Sequence, residues 1–346
     1  MDTEALTKIF SLTSVAFLLA LLGTPLVSGI LYRYKLNKNI RNDGTTPVFS
    51  GLHASKQGTP TMGGVLIWGT VLILAAVFWF LDRVAGMHSF HILNFLTRRE
   101  TLLPLGAMIG ASVVGMADDF LDIQQLGHQG RGFRFRFKVL IYAAVALIGA
   151  LWFYSKLGFD SIHIPFYGFL HLGWFFIPFF ILVVVGTSFA VNQTDGLDGL
   201  AGGTLSISFF AYAIIAYTQG NYNLAAFLGV TSGALLAFLW FNIHPARFFM
   251  GDTGSMGLGV LLAVVAFLTG QVILLPIIGL IFVIESASYF LQLISRKLFK
   301  KKLFLSSPLH HHLEALGWPE TKITMRFWIL SAVSSIFAVI IYLLGR

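Results

Sequence analysis

Apolar runs long enough to cross a bilayer recur along almost the whole chain, and no other feature of the sequence narrows its fold as much. Roughly 17–25 apolar residues in a helix span the hydrocarbon layer. Runs of that kind lie at 10–32, 61–81, 101–117, 138–155, 172–191, 199–218, 222–241, 256–270, 271–295 and 324–344. Each reads as a helix, because a backbone in hydrocarbon must satisfy its polar groups within its own segment. Gly270 and Gln271 are the only break between the eighth and ninth runs. The chain is 56% hydrophobic and 11% charged, with a mean hydropathy of +0.80, whereas a soluble domain carries roughly 25% charged residues. The fold class is therefore an all-α polytopic membrane protein of about ten helices. It forms a single domain over 1–346, with no internal repeat and no low-complexity linker.

The acidic N-terminus MDTEALTK lacks the basic n-region of a signal peptide, so the first run is read as a retained span. The alternating segment 157–171, with its Gly and Pro, reads as a short hairpin outside the hydrocarbon. Most of the 23 Lys and Arg fall in the odd-numbered connections: Arg33, Lys35, Lys38, Arg41 and Lys56; Arg131, Arg134, Arg136 and Lys138; Arg247; and Arg296 to Lys302 with Lys322 and Arg326. The positive-inside rule makes those connections cytoplasmic and places both termini outside. A net charge of +8 distributed in this way reflects topology and excludes nucleic-acid binding as its explanation. The absence of Cys removes disulfides and thiolate metal sites.

The unusual polar residues gather on that same side. Asp118, Asp119 and Asp122 lie in the third connection, Asn192, Asp195 and Asp198 in the fifth, Asp252 in the seventh, and His310, His311 and His312 in the ninth. A polar cleft at the cytoplasmic membrane surface is expected there. Asp118 can share a helix face with Asp122, and Asp195 with Asp198, if those helices continue past the interface. Acids converging from three loops call for a cation, and an all-oxygen set favours Mg²⁺. The alternative is that they cap helix N-termini. The glycine-rich NQTDGLDGLAGG and GDTGSMGLG open helices and suit either phosphate binding or close helix packing. Three adjacent His cannot all face one metal, so SSPLHHHLEALGW suits phosphate contact or proton transfer better than a zinc site, the alternative being a polar surface loop with incidental His. Lys56 at the mouth of the second span can snorkel or bind a phosphate or base. Phe249 can stack on a planar base or simply pack. Glu285 is the one carboxylate well inside a predicted span, and it needs a buried partner or a polar cavity.

GTPTMGG, the Asp118–Asp119 pair, NQTDGLDGLAGG, FNIHPARFFMGDTGS, IFVIES and PLHHHLEALGWPETKITMRFW occur in this order from about residue 50 to the C-terminus. Together they resemble the polyprenyl-phosphate N-acetylhexosamine-1-phosphate transferases, and the triple-His segment resembles the branch that uses a muramoyl-pentapeptide donor. The resemblance implies ten spans, a homodimer, Mg²⁺ and a place in the bacterial inner membrane. It also implies transfer of phospho-MurNAc-pentapeptide from UDP-MurNAc-pentapeptide to undecaprenyl phosphate, giving lipid I and UMP for peptidoglycan. By the same resemblance Asp252 holds the metal, Asp118 and Asp119 are the catalytic pair, and His310 belongs to the active site. Asn192, Asp195 and Asp198 fall in a nucleotide-binding loop. Lys56, Asn242 and Phe249 match a uridine pocket, Lys138 a basic cleft position, and His311 and His312 a substrate-binding motif. Three places depart from the family pattern: Asp122 stands where a Lys is usual, Tyr142 occupies a usually polar position, and the loop before the His triplet is unusually basic and reads SSP. Proton removal from the acceptor phosphate by Asp118 and a two-step route through Asp119 both remain open. The rival readings are a sibling transferase of GlcNAc-1-phosphate and a transporter lined by acids.

Overall fold

The computed structural model describes residues 2–37, 56–98, 100–127 and 132–346. Lys38, Arg41, Arg131 and the start of the 53–64 motif lie outside the described residues. The chain is built almost wholly of helices: α1 (Thr3–Arg33), α2 (Val65–Arg83), α3 (Leu102–Ile123), α4 (Phe135–Lys156), α5 (Phe176–Thr194), α6 (Leu200–Thr218), α7 (Tyr222–Asn242), α8 (Asp252–Leu268), α9 (Leu275–Ile278), α10 (Leu280–Ile294), α11 (Leu309–Ala315) and α12 (Glu320–Gly345). The segment read as a hairpin is one: β1 (Ser161–Ile164) pairs antiparallel with β2 (Gly168–His171). Its turn lies against the end of α12, where the Phe166 amide donates to the Gly345 carbonyl.

Nine of the ten predicted runs each coincide with one helix, and the differences are physical. Among the described residues eight helices are long and apolar enough to cross a membrane, and a bent pair over Val272–Ile278 and Leu280–Phe299 raises this to nine. The run 271–295 is thus not one straight helix but turns by 80°. The bend falls at Gly279, and the Ile278 carbonyl it frees accepts hydrogen bonds from Ser208 Oγ and Ser335 Oγ. That is how irregular backbone survives inside a membrane protein. The eighth run forms α8, which has only 17 residues. Every residue of α8 from Thr253 to Phe267 is buried, because α3, α5 and α6 surround it. Close approach is achieved at Gly115, where a Cβ would collide with the Asp252 carbonyl.

Hydropathy ends two spans too early and starts a third too late. α3 runs on to Ile123 and takes in Asp118, Asp119 and Asp122; α5 runs on to Thr194 and takes in Asn192; α8 begins at Asp252 itself. Charge marks the edge of an apolar window, yet a helix continues wherever its polar side chains find partners. The converse holds after α5, which stops at Thr194, so Asp195 and Asp198 do not share a helix face. α7 and α8 form the centre of the bundle, with α1 packed on α7 and α12 on α6. The C-terminal ends of α3, α5 and α7 meet the N-terminal ends of α2, α4, α6, α8 and α12 at one end of the bundle. Both described chain ends lie at the other, where Lys8 binds the Asn94 carbonyl and Asn223 Oδ1.

Candidate active site

The site begins with the turn before α8. Gly251 adopts φ 72°, which L side chains rarely take, and so directs the first amides of α8 toward α3. Asp119 receives them: Oδ1 accepts from the Asp252 amide at 3.1 Å, and Oδ2 accepts from the Thr253 amide at 2.9 Å and from Thr253 Oγ1 at 2.6 Å. A carboxylate from a neighbouring helix therefore does the work of an N-cap. Asp195 adds a contact by accepting from the Gly251 amide at 3.2 Å.

Held this way, Asp252 projects into a charged cluster. Its Oδ2 lies 2.8 Å from Lys138 Nζ, and its Oδ1 accepts from Asn192 Nδ2 at 2.8 Å. Asn192 also donates to Ser255 Oγ at 2.8 Å. The Lys138 ammonium is paired as well with Asp118 Oδ2, while Asp118 Oδ1 accepts from the Phe133 amide at 2.7 Å. Asp118 and Asp252, from different helices, thus flank one cation. Tyr142, one turn beyond Lys138, is buried and donates to the Ala111 carbonyl at 3.1 Å. Asp122 sits in the last turn of α3, half-buried.

Asp198 belongs to a second cluster. Its Oδ1 lies 2.7 Å from Lys56 Nζ, and its Oδ2 accepts from the Ala246 amide and faces His244 Nδ1, both at 3.0 Å. Glu320, the first residue of α12, pairs with Lys56 at 2.5 Å, faces His244 Nδ1 at 3.3 Å and accepts from the Asp198 amide. Asp198, His244 and Glu320 are close enough to hold a metal, but the Lys56 ammonium already stands against both carboxylates. The Lys56 ammonium also lies 5.9 Å from the centroid of the Phe249 ring. Asn242 works through backbone, its Oδ1 accepting from the Gly199 amide at 3.0 Å and its Nδ2 donating to the Phe248 carbonyl at 2.9 Å. Chain 60–64 pairs with 249–250, so Lys56 and Phe249 are set by one pair of neighbouring strands of backbone.

A third cluster answers the question of Glu285. It is wholly buried beside His310, with Oε2 2.9 Å from Nδ1 and Oε1 accepting the His310 amide at 3.2 Å. His310 Nε2 has no hydrogen-bond partner among the described residues, and it faces Gly196, where a Cβ would run into it. The His triplet divides: His311 Nδ1 lies 2.7 Å from Glu314 Oε2, and His312 Nδ1 accepts from the Leu305 amide at 3.2 Å.

An apolar groove of about 1230 Å³ opens between α4, α5 and the bent pair α9–α10, lined by residues such as Val139, Phe179, Leu182, Val283 and Phe290. One of its few polar lining residues is Gln193, next in sequence to Asn192. Val139 is likewise next to Lys138, so groove and charged cluster share the same ends of α4 and α5, although no cluster residue lines the groove.

The structure unites Asp118, Asp119, Asn192, Asp195, Asp252 and Lys138 around the start of α8, Lys56, Asp198, Asn242 and Phe249 around the start of α6, and leaves His310 with Glu285. Sequence reasoning missed His244 and Glu320. Both lie inside quoted motifs, but an acid after Pro319 reads simply as a favourable helix N-terminal charge.

Comparison with known proteins bears on what this arrangement is for. Residues 101–270 match the model of glycosyl transferase family 4, and residues 56–67 match phospho-N-acetylmuramoyl-pentapeptide-transferase signature 1. The chain is 39% identical over 341 residues to the phospho-N-acetylmuramoyl-pentapeptide-transferase of Chloroflexus aggregans, covering 95% of this chain and 88% of that protein. It is 40% identical over 331 residues to the protein of the same name from Geobacillus kaustophilus, covering 94% of each.

Proposed function

The chain belongs to the phospho-N-acetylmuramoyl-pentapeptide-transferase family, and from that premise we propose that it moves phospho-MurNAc-pentapeptide from UDP-MurNAc-pentapeptide to undecaprenyl phosphate. The products are lipid I, for peptidoglycan, and UMP. The observation that carries this reading is a charged cluster at the same ends of α4 and α5 as an apolar groove: a water-soluble donor and a lipid acceptor must react at such a junction. The groove takes the polyprenyl chain, and its phosphate reaches the cluster beyond Gln193.

Asp252 offers carboxylate oxygens to a Mg²⁺ ion, which would displace the Lys138 ammonium from it, whereas the group at Asp198 and Glu320 includes the His244 nitrogen and suits Mg²⁺ less. When bound, the ion offsets charge on the diphosphate and the leaving UMP. Asp118 Oδ1 accepts one backbone amide and Oδ2 faces the Lys138 ammonium, so a shift of that ammonium to the incoming phosphate would free Oδ2 to accept the proton of the acceptor phosphate. Asp119 has both oxygens engaged by the start of α8, which suits an anchor for Asp252 and not a nucleophile. The geometry favours direct attack of the lipid phosphate on the β-phosphorus over the two-step route. Lys138, released from Asp118, remains to steady developing negative charge. Phe249 and Lys56 receive the uracil and its ribose phosphate, on a floor set by Asn242 and Asp198. His310 Nε2 faces the same loop at Gly196, while His311 and His312 hold the short helix α11 in place. Glu285, the one deep acid that a transport path would use, is enclosed with His310, which argues against the transporter reading.

The distribution of Lys and Arg supports a site facing the cytoplasm with both termini outside, and the family relationship supports a bacterial inner-membrane homodimer. The test is to mix purified chain, undecaprenyl phosphate, Mg²⁺ and UDP-MurNAc-pentapeptide and follow UMP and solvent-extractable MurNAc. Both should appear together. Solute flux in liposomes with no UMP would return the transporter.

A further inference from the structure

The basic loop before the His triplet is used by none of the chemistry above. α10 runs into a π-helical turn, Ser295–Phe299, which ends at Lys300 with φ 54°. Arg296, Lys297, Lys300, Lys301 and Lys302 are all exposed, and no acid occurs between 295 and 308. Interleaved with them, Leu298, Phe299, Leu303 and Leu305 are each more than half exposed, Phe299 at 68%. These apolar side chains continue the exposed strip of α10 formed by Phe290, Leu291 and Ile294.

The loop is nevertheless pinned from beneath. Gln292, 2% exposed, accepts from the Leu303 and Phe304 amides at 3.0 and 2.9 Å and donates to the Phe304 carbonyl at 3.1 Å. Ser295 Oγ donates to the Lys301 carbonyl at 2.9 Å. The Phe304 ring meets His312 edge-on at 5.4 Å. Topology alone asks for the charges; it asks neither for a buried amide that fixes the loop nor for Phe299 and Leu298 beside the charges. Apolar side chains that continue a lipid-facing strip and end in ammonium groups have the arrangement of a segment seated at headgroup depth.

We propose that Arg296–Leu305 is a docking surface for anionic phospholipid headgroups of the leaflet that α10 faces. Leu298, Phe299, Leu303 and Leu305 enter the acyl boundary, and the five cations collect phosphate groups around them. Because His312 Nδ1 accepts from the Leu305 amide, the surface is tied to α11 and so to the site. The inference stands on the loop itself and holds whichever reaction the site performs.

The chain has no Cys, so Leu298→Cys gives a single labelling site. With a fluorophore there, the full-length protein in phosphatidylcholine vesicles is titrated with headgroup-nitroxide phosphatidylglycerol or phosphatidylcholine. The anionic quencher should be favoured roughly fivefold or more per mole, the contribution of about one lysine at an anionic surface. That preference should fall toward equality when Lys297, Lys300, Lys301 and Lys302 become Gln. Raised salt on the unaltered lysines should do the same, which keeps the test independent of how the variant folds. Equal quenching by the two lipids, quenching by neither, or a preference that survives both salt and substitution would overturn the proposal.

Discussion

The Glu285–His310 pair offers the sharpest perturbation, because its two halves are not equivalent. Both side chains are fully buried, and Glu285 accepts two hydrogen bonds from His310, from the ring at 2.9 Å and from the amide at 3.2 Å. His310→Ala leaves an enclosed carboxylate with one backbone donor; removing one partner of a buried pair costs about 3–5 kcal/mol. Glu285→Gln leaves a neutral ring and one misdirected amide, a loss of about 1–3 kcal/mol. It also changes the ring: an amide N–H facing Nδ1 would move the ring proton to Nε2, the atom directed at Gly196. The assay is thermal unfolding in detergent alongside UMP release for each single variant and the double. His310→Ala should unfold at the lower temperature, Glu285→Gln should lose activity beyond its loss of stability, and the double should destabilise by less than the sum. Additive effects within about 0.5 kcal/mol would refute the coupling.

Three further outcomes follow from the other clusters. Asp252→Asn should lower UMP release at least roughly a hundredfold while the protein stays folded, since α8 remains anchored by Asp119; near-normal turnover would remove Asp252 from the metal site. Glu320→Gln should raise KM for the UDP donor by roughly tenfold and leave kcat within about twofold, because Glu320 orders Lys56 and the Asp198 amide without meeting the reacting phosphates; a pure kcat effect would contradict that. Gly186 lines the groove, and a Cβ there would meet nothing within 4 Å, so Gly186→Trp should fill the groove and raise KM for undecaprenyl phosphate more than for a short-chain analogue.

Spans were legible because hydropathy reports what hydrocarbon tolerates, and the break at Gly270–Gln271 was visible for the same reason. Helix ends were not. Asp118, Asn192 and Asp252 look like loop residues to a hydropathy window, yet each is helical because a partner from another helix satisfies it. The 80° bend at Gly279 was hidden because Ser208 and Ser335, distant in sequence, satisfy the carbonyl that it frees. The acids of the site were found as residue types, but their grouping was not: Asp195 and Asp198, three apart, serve different clusters. Glu285 within an apolar run calls for a partner, and only the packing of α11 against α10 identifies His310.

Donor choice tests the central claim most directly. The purified chain, given polyprenyl phosphate and Mg²⁺, should release UMP from UDP-MurNAc-pentapeptide and little or none from UDP-GlcNAc at the same concentration. Equal or preferential release from UDP-GlcNAc would contradict the account.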